Sequence, residues 1–314
     1  MSSSAGSDES SARSVRVICG PTGAGKSSIA MTLAESRGAI IISADSRQIY
    51  RRFDIGTAKP GSDDRARVPH RGIDVIDPSE RYSAALWAES ARRWIDEAHA
   101  EGVTPLIVGG TGFYLRALSE PFFEAPVLDP VRRAALERAW TTTSTEDLRR
   151  WCTNLDPERA HLGRTQLIRS VETALLTGER LSDLHRSHAR PPLIAARYLV
   201  VDPGVRLAAR IEQRYDAMTA AGWVEEVAVL AREVDESAPA WKASGYQVMR
   251  EVVSGRVSAR DARERVIIET RQYAKRQRTW FRHQLDSTAT TRLDPDDSAA
   301  DSLVNDWWDG RRDA

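Results

Sequence analysis

The chain has 314 residues, enough for one large α/β domain with a smaller domain inserted or appended, which excludes a single compact module of about one hundred residues. Lys and Arg together number 45, as do Asp and Glu, so any nucleic-acid binding must depend on a local basic patch. The two cysteines, Cys19 and Cys152, suggest neither a disulfide framework nor a thiolate metal site. No run of about 18 apolar residues indicates a membrane span.

The N-terminal part of the chain alternates between predicted strands and helices. Residues 1–14 are rich in serine and lack the apolar segment of a signal peptide, so we predict a disordered tail on a cytoplasmic protein. Three apolar runs predict buried strands, at residues 15–19, 39–44 and 105–108. One helix is predicted from the glycine-rich loop that follows the first strand to about residue 36, and a second over 82–100. This alternation is typical of a parallel sheet, which binds ligands at the carboxyl ends of its strands.

The middle of the chain has a different pattern. From about residue 121 to residue 192, helical and Arg-rich segments replace the strands, which predicts a helical insertion. The run 196–201 predicts a strand that returns to the sheet, followed by helices over about 205–221 and 258–283. Residues 286–314 are rich in Asp and Ser, and we predict a loosely held acidic tail. The predicted parts are 1–14, a core of 15–120 with 193–285, the insertion 121–192 and the tail 286–314.

A glycine-rich loop lies between the first strand and the first helix. It matches the pattern G-x-x-x-x-G-K-[ST], whose glycines allow backbone N–H groups to surround a diphosphate. The helix N-terminus adds partial positive charge, Lys26 adds a full charge, and Ser27 is placed to ligate Mg²⁺. We therefore predict a phosphate site formed by Gly20, Pro21, Thr22, Gly23, Ala24, Gly25, Lys26 and Ser27. The alternative is a glycine-rich turn with a surface lysine.

The loop alone does not identify its phosphate ester, because the oxygens that it contacts are common to nucleotides and to other diphosphates. An ATPase or GTPase usually has a Mg²⁺-supporting Asp at the end of a later strand. Here the third strand ends at Gly109, Gly110 and Thr111, and the acid follows the second strand, at Asp45. This arrangement favours small-molecule kinases and related group-transfer enzymes over motors and switches.

Asp45 and Thr111 are the candidates for chemistry at this site. The Asp45 carboxylate could accept a proton from an incoming nucleophile, and the Thr111 hydroxyl and N–H could donate to a leaving oxygen. The same residue types fit a turn and a helix N-cap equally well. The pattern therefore leaves both interpretations open.

A basic helix is predicted near the C-terminus. Arg271, Lys275 and Arg276 alternate with Tyr273 and are followed by two more aromatic residues, a pattern that can neutralise phosphates and stack bases. The alternative is a solvated charged helix whose aromatic residues pack into the core.

Eight sequence blocks occur in an order that is specific to one family. They are GPTGAGKS at 20–27, ADSRQIY at 44–50, DIGTAKP at 54–60, PHRGIDVIDP at 69–78, YSAALW at 82–87, VGGTGFY at 108–114, GYQ at 245–247 and TRQYAKRQRTWFR at 270–282. In these blocks the chain resembles the tRNA dimethylallyltransferases, also called isopentenyl-tRNA transferases. The resemblance implies an α/β fold in which a P-loop NTPase-like parallel sheet is flanked by helices and carries an inserted all-helical domain.

The resemblance also implies a reaction. Dimethylallyl diphosphate would bind with its diphosphate in the loop, and the N6 amine of adenosine 37, beside the anticodon, would attack carbon 1 while Mg²⁺ assists the leaving diphosphate. The residue matching the general base is Asp45, and Thr111 and Lys26 would steady the diphosphate. The adenine would leave the base stack to reach the site. The substrates would be tRNAs that read codons beginning with U, and the enzyme would be a cytoplasmic monomer.

Contacts with the tRNA anticodon stem-loop follow from the same resemblance. The matching residues are Asp45, Ser46, Arg47, Gln48, Thr111, Arg133, Thr165, Gln166, Leu167, Ile168, Arg169, Arg271, Lys275 and Arg276. Gln166 stands where members often carry Arg, which removes a charge and puts that contact in doubt. Lys242 matches a position that can reach the diphosphate, where some members have the bidentate fork of Arg.

Three alternatives remain beside the transferase hypothesis. A P-loop small-molecule kinase would use ATP in the same loop. An adenylate isopentenyltransferase would share the loop and the acid but act on free AMP, ADP or ATP, and the helical insertion and the basic helix argue against it. An RNA-binding P-loop module without catalysis would not depend on Asp45.

Overall fold

A computed structural model describes residues 15–119, 126, 128–187 and 194–311. The predicted disordered tail, residues 1–14, lies outside them. The strands are β1 (Val15–Cys19), β2 (Ala39–Ser43), β3 (His70–Arg71), β4 (Thr104–Gly109), β5 (Ala196–Val201) and β6 (Thr290–Leu293). The helices are α1 (Lys26–Arg37), α2 (Ser62–Arg67), α3 (Ala84–Ala100), α4 (Gly112–Ser119), α5 (Pro130–Trp140), α6 (Thr145–Leu155), α7 (Arg164–Thr177), α8 (Leu181–Ser187), α9 (Leu207–Ala220), α10 (Trp223–Glu233), α11 (Tyr246–Val253), α12 (Ala259–Gln284) and α13 (Ala300–Asp309).

The strands form one parallel sheet in the order β3-β2-β4-β1-β5-β6. The register places Cys19 beside Gly109 and Ser43 beside Val108, so the loops that follow β1, β2 and β4 leave the same edge of the sheet. All five residues of β2 are buried, as expected for a strand covered on both faces. The predicted parallel α/β fold is confirmed.

Helix α3 shows how the sequence covers the sheet. Ser83 caps the helix by accepting a hydrogen bond from the backbone N–H of Leu86. Its apolar stripe includes Trp87, which is fully buried and donates through Nε1 to the carbonyl oxygen of Ser43 at 2.9 Å. The helix is thereby packed against β2, and the bound carbonyl fixes the end of the strand that precedes Asp45.

The C-terminal residues differ from the prediction. Strand β6 extends the sheet beside β5, and α13 buries Val304, Trp307 and Trp308. The carbonyl oxygens of Trp307 and Trp308 accept hydrogen bonds from Arg197 at 2.7 Å and from Arg16 at 2.9 Å. The expectation of a loosely held tail over 286–314 is therefore wrong for its described part, because the apolar side chains outweigh the acidic composition.

Residues 120–192 form a compact unit distinct from the rest of the chain. In its described part, five helical residues make a buried core, namely Trp140, Leu148, Cys152, Leu167 and Val171. The unit also buries several polar side chains, among them Asp156, Ser170 and Glu172. Across both units, no helix in the described residues is long and apolar enough to cross a membrane.

Candidate active site

The glycine loop has the backbone conformation that its sequence predicted. Gly20, Gly23 and Gly25 all have positive φ values, and a Cβ atom at Gly20 would lie 2.2 Å from the carbonyl oxygen of Val201. Gly25 precedes α1 without a side-chain cap, so the helix N-terminus carries its partial positive charge toward the loop. An anion of diphosphate size fits the electrostatics of this loop.

Lys26 is half-buried, and its Nζ donates to the carbonyl oxygen of Pro21 at 2.8 Å. Burial and, to a smaller extent, the positive charge of Arg214 lower the pKa of Lys26, while Asp45 and Cys19 oppose the shift, and the net pKa is about 8. Two cations thus face the same region with one nearby carboxylate. A diphosphate between them would relieve their repulsion.

Arg214 is a site residue that the sequence analysis missed. It lies on α9, lines the same cavity as Lys26 and Asp45, and donates to the carbonyl oxygen of Thr57 at 3.4 Å. Burial lowers its pKa, and the charge of Asp45 works in the opposite direction. The helix spacing held a signal, because Leu207, Ile211 and Arg214 share one face and the first two are buried. An arginine on that face needs a partner inside the protein.

Asp45 and Thr111 lie on the segments that follow β2 and β4. The Asp45 Oδ1 accepts from the N–H of Arg47 at 2.8 Å, which is the turn that the sequence allowed, while Asp45 also lines the cavity. The Thr111 Oγ1 accepts from the N–H of Ser46 at 3.0 Å, and the Thr111 N–H donates to Ala44. Thr111 is therefore bonded to the segment that carries Asp45, and it does not appear among the described residues that line the cavity.

Gln277 on α12 connects two of these segments and was also missed. Its Oε1 accepts from the N–H of Thr22 at 2.9 Å, and its Nε2 donates to the carbonyl oxygen of Gly110 at 2.8 Å. The side chain is buried, on the same helix face as Ala274 and Phe281. A buried glutamine at core spacing in a charged helix was the available signal. The amide holds the phosphate loop against the end of β4.

The cavity has a volume of about 490 Å³ and is lined by two chemical classes of side chain. Its charged and hydroxyl groups include Lys26, Ser27, Asp45 and Arg214. Its apolar and aromatic side chains include Ile211, Tyr215, Met218, Trp223, Val266 and Ile267. The arrangement fits a small molecule with an anionic head and an apolar group.

The basic helix α12 has features of both predicted types: a nucleic-acid-binding helix and a solvated helix whose aromatic residues pack into the core. Phe281 is buried in the core, whereas Tyr273 lines the cavity. Arg271 pairs with Glu212, the Arg276 guanidinium lies 5.8 Å from the Tyr273 ring centroid, and Lys275 is exposed. The helix thus brings two exposed cationic side chains, Lys275 and Arg276, close to the cavity residue Tyr273.

In the helical unit, the run that matches RNA-contacting positions has both buried and accessible members. Leu167 is fully buried in the unit's core and Ile168 packs against that core, so a side-chain contact of Leu167 with RNA is excluded in this structure. Thr165 is exposed, and the Gln166 Oε1 accepts from the N–H of its own helix N-cap, Gly163, at 3.2 Å. Arg169 is half-buried, and burial lowers its pKa.

Lys242 does not lie where the resemblance implied, within reach of a diphosphate in the cavity. It ends a short 3₁₀ turn, Pro239–Lys242, and its side chain is exposed. It is not among the described residues that line the cavity, whereas its neighbours Ala243 and Ser244 are. The cation that the structure brings to Lys26 and Asp45 is Arg214, which lies on a different element, α9.

Comparison with known proteins identifies close relatives. The family model described as IPP transferase matches residues 48–284, and the model described as isopentenyl transferase matches residues 13–69. A tRNA dimethylallyltransferase of Halorhodospira halophila is 43% identical over 292 residues, covering 89% of this chain and 94% of the relative. A tRNA dimethylallyltransferase of Chromohalobacter salexigens is 39% identical over 288 residues, covering 87% and 92%.

Solved structures have the same fold. A full-length tRNA isopentenylpyrophosphate transferase from Bacillus halodurans superposes with a TM-score of 0.67 at 30% identity, covering 95% of this chain and 96% of that one.

Proposed function

The chain belongs to the IPP transferase family, and on that premise we propose that it transfers a dimethylallyl group from dimethylallyl diphosphate to N6 of adenosine 37 of tRNA. The observation that supports the donor is the cavity, whose lining combines the cations Lys26 and Arg214 with apolar and aromatic side chains. Dimethylallyl diphosphate likewise combines an anionic diphosphate head with a small hydrocarbon. The acceptor is inferred from the relatives, which are named as acting on tRNA.

The proposed reaction breaks one bond and forms one. The lone pair of N6 attacks carbon 1 of the dimethylallyl group, the bond from carbon 1 to the diphosphate oxygen breaks, and diphosphate leaves with the electron pair. The N6 proton passes to the Asp45 carboxylate, which lies in the same cavity as the loop. Lys26 and Arg214 stabilise the charge that develops on the leaving oxygen. In this mechanism Thr111 contributes by fixing the segment of Asp45 through Ser46.

A magnesium ion fits the donor set of this site. Mg²⁺ is usually held by one or two protein oxygens together with phosphate oxygens and water, so it does not need a cluster of carboxylates. No group of three or more His, Cys, Asp or Glu residues suited to a metal occurs in the described part of the chain, but Ser27 offers a hydroxyl oxygen in the cavity. When bound, the ion would neutralise charge on the diphosphate oxygens. We also propose that the enzyme acts as a monomer in the cytoplasm, as the family resemblance implies.

The transfer assay tests the proposal directly. The protein is incubated with labelled dimethylallyl diphosphate, Mg²⁺ and an unmodified tRNA that has adenines at anticodon-loop positions 36 to 38. We expect label on adenosine 37, and its absence would reject the function. A kinase would instead be stabilised against thermal unfolding by ATP and not by dimethylallyl diphosphate, so the two ligands separate that alternative in the same protein preparation.

The pKa of Lys26 predicts how diphosphate affinity depends on pH. The anion is bound by protonated Lys26, and because the pKa of this group in the free protein is about 8, affinity is expected to fall as pH rises from 7 to 9. An ordinary lysine would keep its proton through this range. Inorganic diphosphate binding, measured by calorimetry, checks this in wild type and in Lys26→Arg, whose guanidinium stays charged. The ligand's own ionisation is common to both proteins, so parallel profiles would contradict the prediction.

The exposed cations of α12 predict part of the tRNA affinity. Neutralising Arg271, Lys275 and Arg276 together is expected to weaken tRNA binding and to reduce the slope of log affinity against log salt by about one for each phosphate that is no longer neutralised. Arg271 should contribute least, since Glu212 already pairs with it. Neutralising the exposed pair Arg92 and Arg93 on α3 is the control. Equal slopes of log affinity against log salt for the two variants would indicate that α12 is a solvated structural helix that does not bind tRNA.

A further inference from the structure

The helical unit buries a carboxylate that the proposed reaction does not use. Glu172 on α7 is 1% exposed. Its Oε1 accepts from the Trp140 Nε1 at 3.2 Å, and its Oε2 lies 3.4 Å from the Arg133 Nε. A buried carboxylate is costly unless charged and polar partners compensate for its lost hydration. Here both carboxylate oxygens have such partners, and both partners come from α5.

The spacing on α5 explains how one carboxylate reaches two partners. Arg133 and Trp140 are seven residues apart, which places them on one helix face two turns from each other. A second acid, Glu137, lies one turn after Arg133 and approaches the same Nε at 3.4 Å. Glu137 differs from Glu172 in exposure, because 51% of its side chain is accessible whereas the Glu172 side chain is 2% accessible. The buried acid and the exposed acid therefore form a matched pair around one guanidinium.

A second arginine is close to the same carboxylate. Arg169 lies three residues before Glu172 on α7, a spacing that puts the two side chains on adjacent positions of the helix surface. Burial and the charge of Arg133 lower the pKa of Arg169, and the charge of Glu172 opposes this. The guanidinium groups of Arg133 and Arg169 thus repel each other, and the carboxylate of Glu172 offsets part of this repulsion.

We propose that Glu172 is a positioning residue for tRNA binding, which holds Arg133 and Arg169 together as a preformed site for the phosphates of the anticodon stem-loop. The inference rests on the proposed function and on the family resemblance, which implies that these two arginines contact RNA. Glu172 itself is buried and touches no RNA. Its contribution is preorganisation, since arginines that are already oriented lose less side-chain entropy on binding.

Substitution Glu172→Gln separates positioning from simple charge. Glutamine keeps the shape and an oxygen acceptor for Trp140, and it removes one negative charge. Long-range electrostatics alone predicts tighter tRNA binding, because the unit becomes more positive. Loss of positioning predicts the opposite, and we expect the Kd and the KM for tRNA to rise by about fivefold to tenfold, as for weakening one partly buried ion pair. The kcat at saturating tRNA should stay unchanged, which a general loss of folded protein would not produce.

The control is Glu137→Gln, which removes the same charge from the same guanidinium at an exposed position and should change the Kd by less than about twofold. Glu172→Gln is also made in an Arg133→Ala background, where it should have little further effect because the two residues act through one contact. If the glutamine variant is too unstable for binding measurements, Glu172→Asp keeps the charge, withdraws it from Arg133, and should weaken binding in the same direction.

Tighter or unchanged tRNA binding by the folded Glu172 variants would overturn the inference, as would equal effects of Glu172→Gln in the two backgrounds. Failure of the proposed function gives a different result. If wild type transfers no label but the Glu172 variants still weaken tRNA binding, the positioning role stands without the chemistry. If Arg133→Ala binds tRNA normally while transfer proceeds, the chemistry stands and the positioning role is rejected.

Discussion

Replacing Asp45 by asparagine is expected to lower kcat for dimethylallyl transfer by about 10² to 10⁴, the range typical of losing a general base. Asparagine has the same shape and keeps an Oδ1 that accepts the 2.8 Å hydrogen bond from the N–H of Arg47, so the turn after β2 should persist. What it loses is the ability to take the proton of N6. Single-turnover transfer at saturating donor and tRNA measures this step without product release.

The matched control for Asp45→Asn is Asp77→Asn. Asp77 makes the same kind of turn, with its Oδ1 accepting from the N–H of Ser79 at 3.0 Å, but it does not appear in the cavity lining. Its variant should transfer at the wild-type rate. Asp45→Asn should still bind inorganic diphosphate at pH 7, because Lys26 and Arg214 remain in the cavity. A kcat for Asp45→Asn within about threefold of wild type would assign the base to another group.

The sequence predicted the parts of the site that are contiguous in the chain. The loop 20–27 carries its function in eight consecutive residues, and Asp45 could be placed because it directly follows an apolar strand. Arg214 and Gln277 could not be placed in this way, because they reach the site from α9 and α12, far along the chain. Their positions depend on how those helices pack, which the local pattern does not contain.

In the helical unit, the spacing of apolar residues on α7 distinguishes buried positions from accessible ones. Leu167 and Val171 are four residues apart and buried, so the residues between them that face outward include Arg169. Treating the run 165–169 as a continuous contact surface ignored this spacing.

The strands β3 and β6 were missed for a different reason. A strand of two residues has no measurable pattern, and β6 lies in a segment whose composition resembles that of a disordered tail.

Removing residues 286–314 is expected to destabilise the α/β unit severely. Deletion of β6 leaves β5 as an unpaired edge next to β1, the strand that leads into the phosphate loop. It also removes the buried side chains of Trp307 and Trp308, each worth about 3–5 kcal/mol by comparison with Trp→Ala substitutions in other proteins. Since whole domains are stable by only about 5–15 kcal/mol, the loss of both is comparable with the total.

Point substitutions make the same test without exposing the sheet edge. Trp308→Ala removes a ring that lies 4.6 Å from the Arg16 guanidinium, yet it leaves the backbone carbonyl that Arg16 binds. It should lower the free energy of unfolding in urea by about 3 kcal/mol or more, whereas Ser302→Ala at an exposed position of α13 should change it by less than about 0.5 kcal/mol. If the truncated chain and Trp308→Ala unfold at the wild-type urea concentration, the packing of α13 contributes nothing to stability. Residues 286–314 would then behave as the loosely held tail that their composition predicts. If they unfold earlier and diphosphate binding weakens with them, the C-terminal helix stabilises the strand that carries the active-site loop.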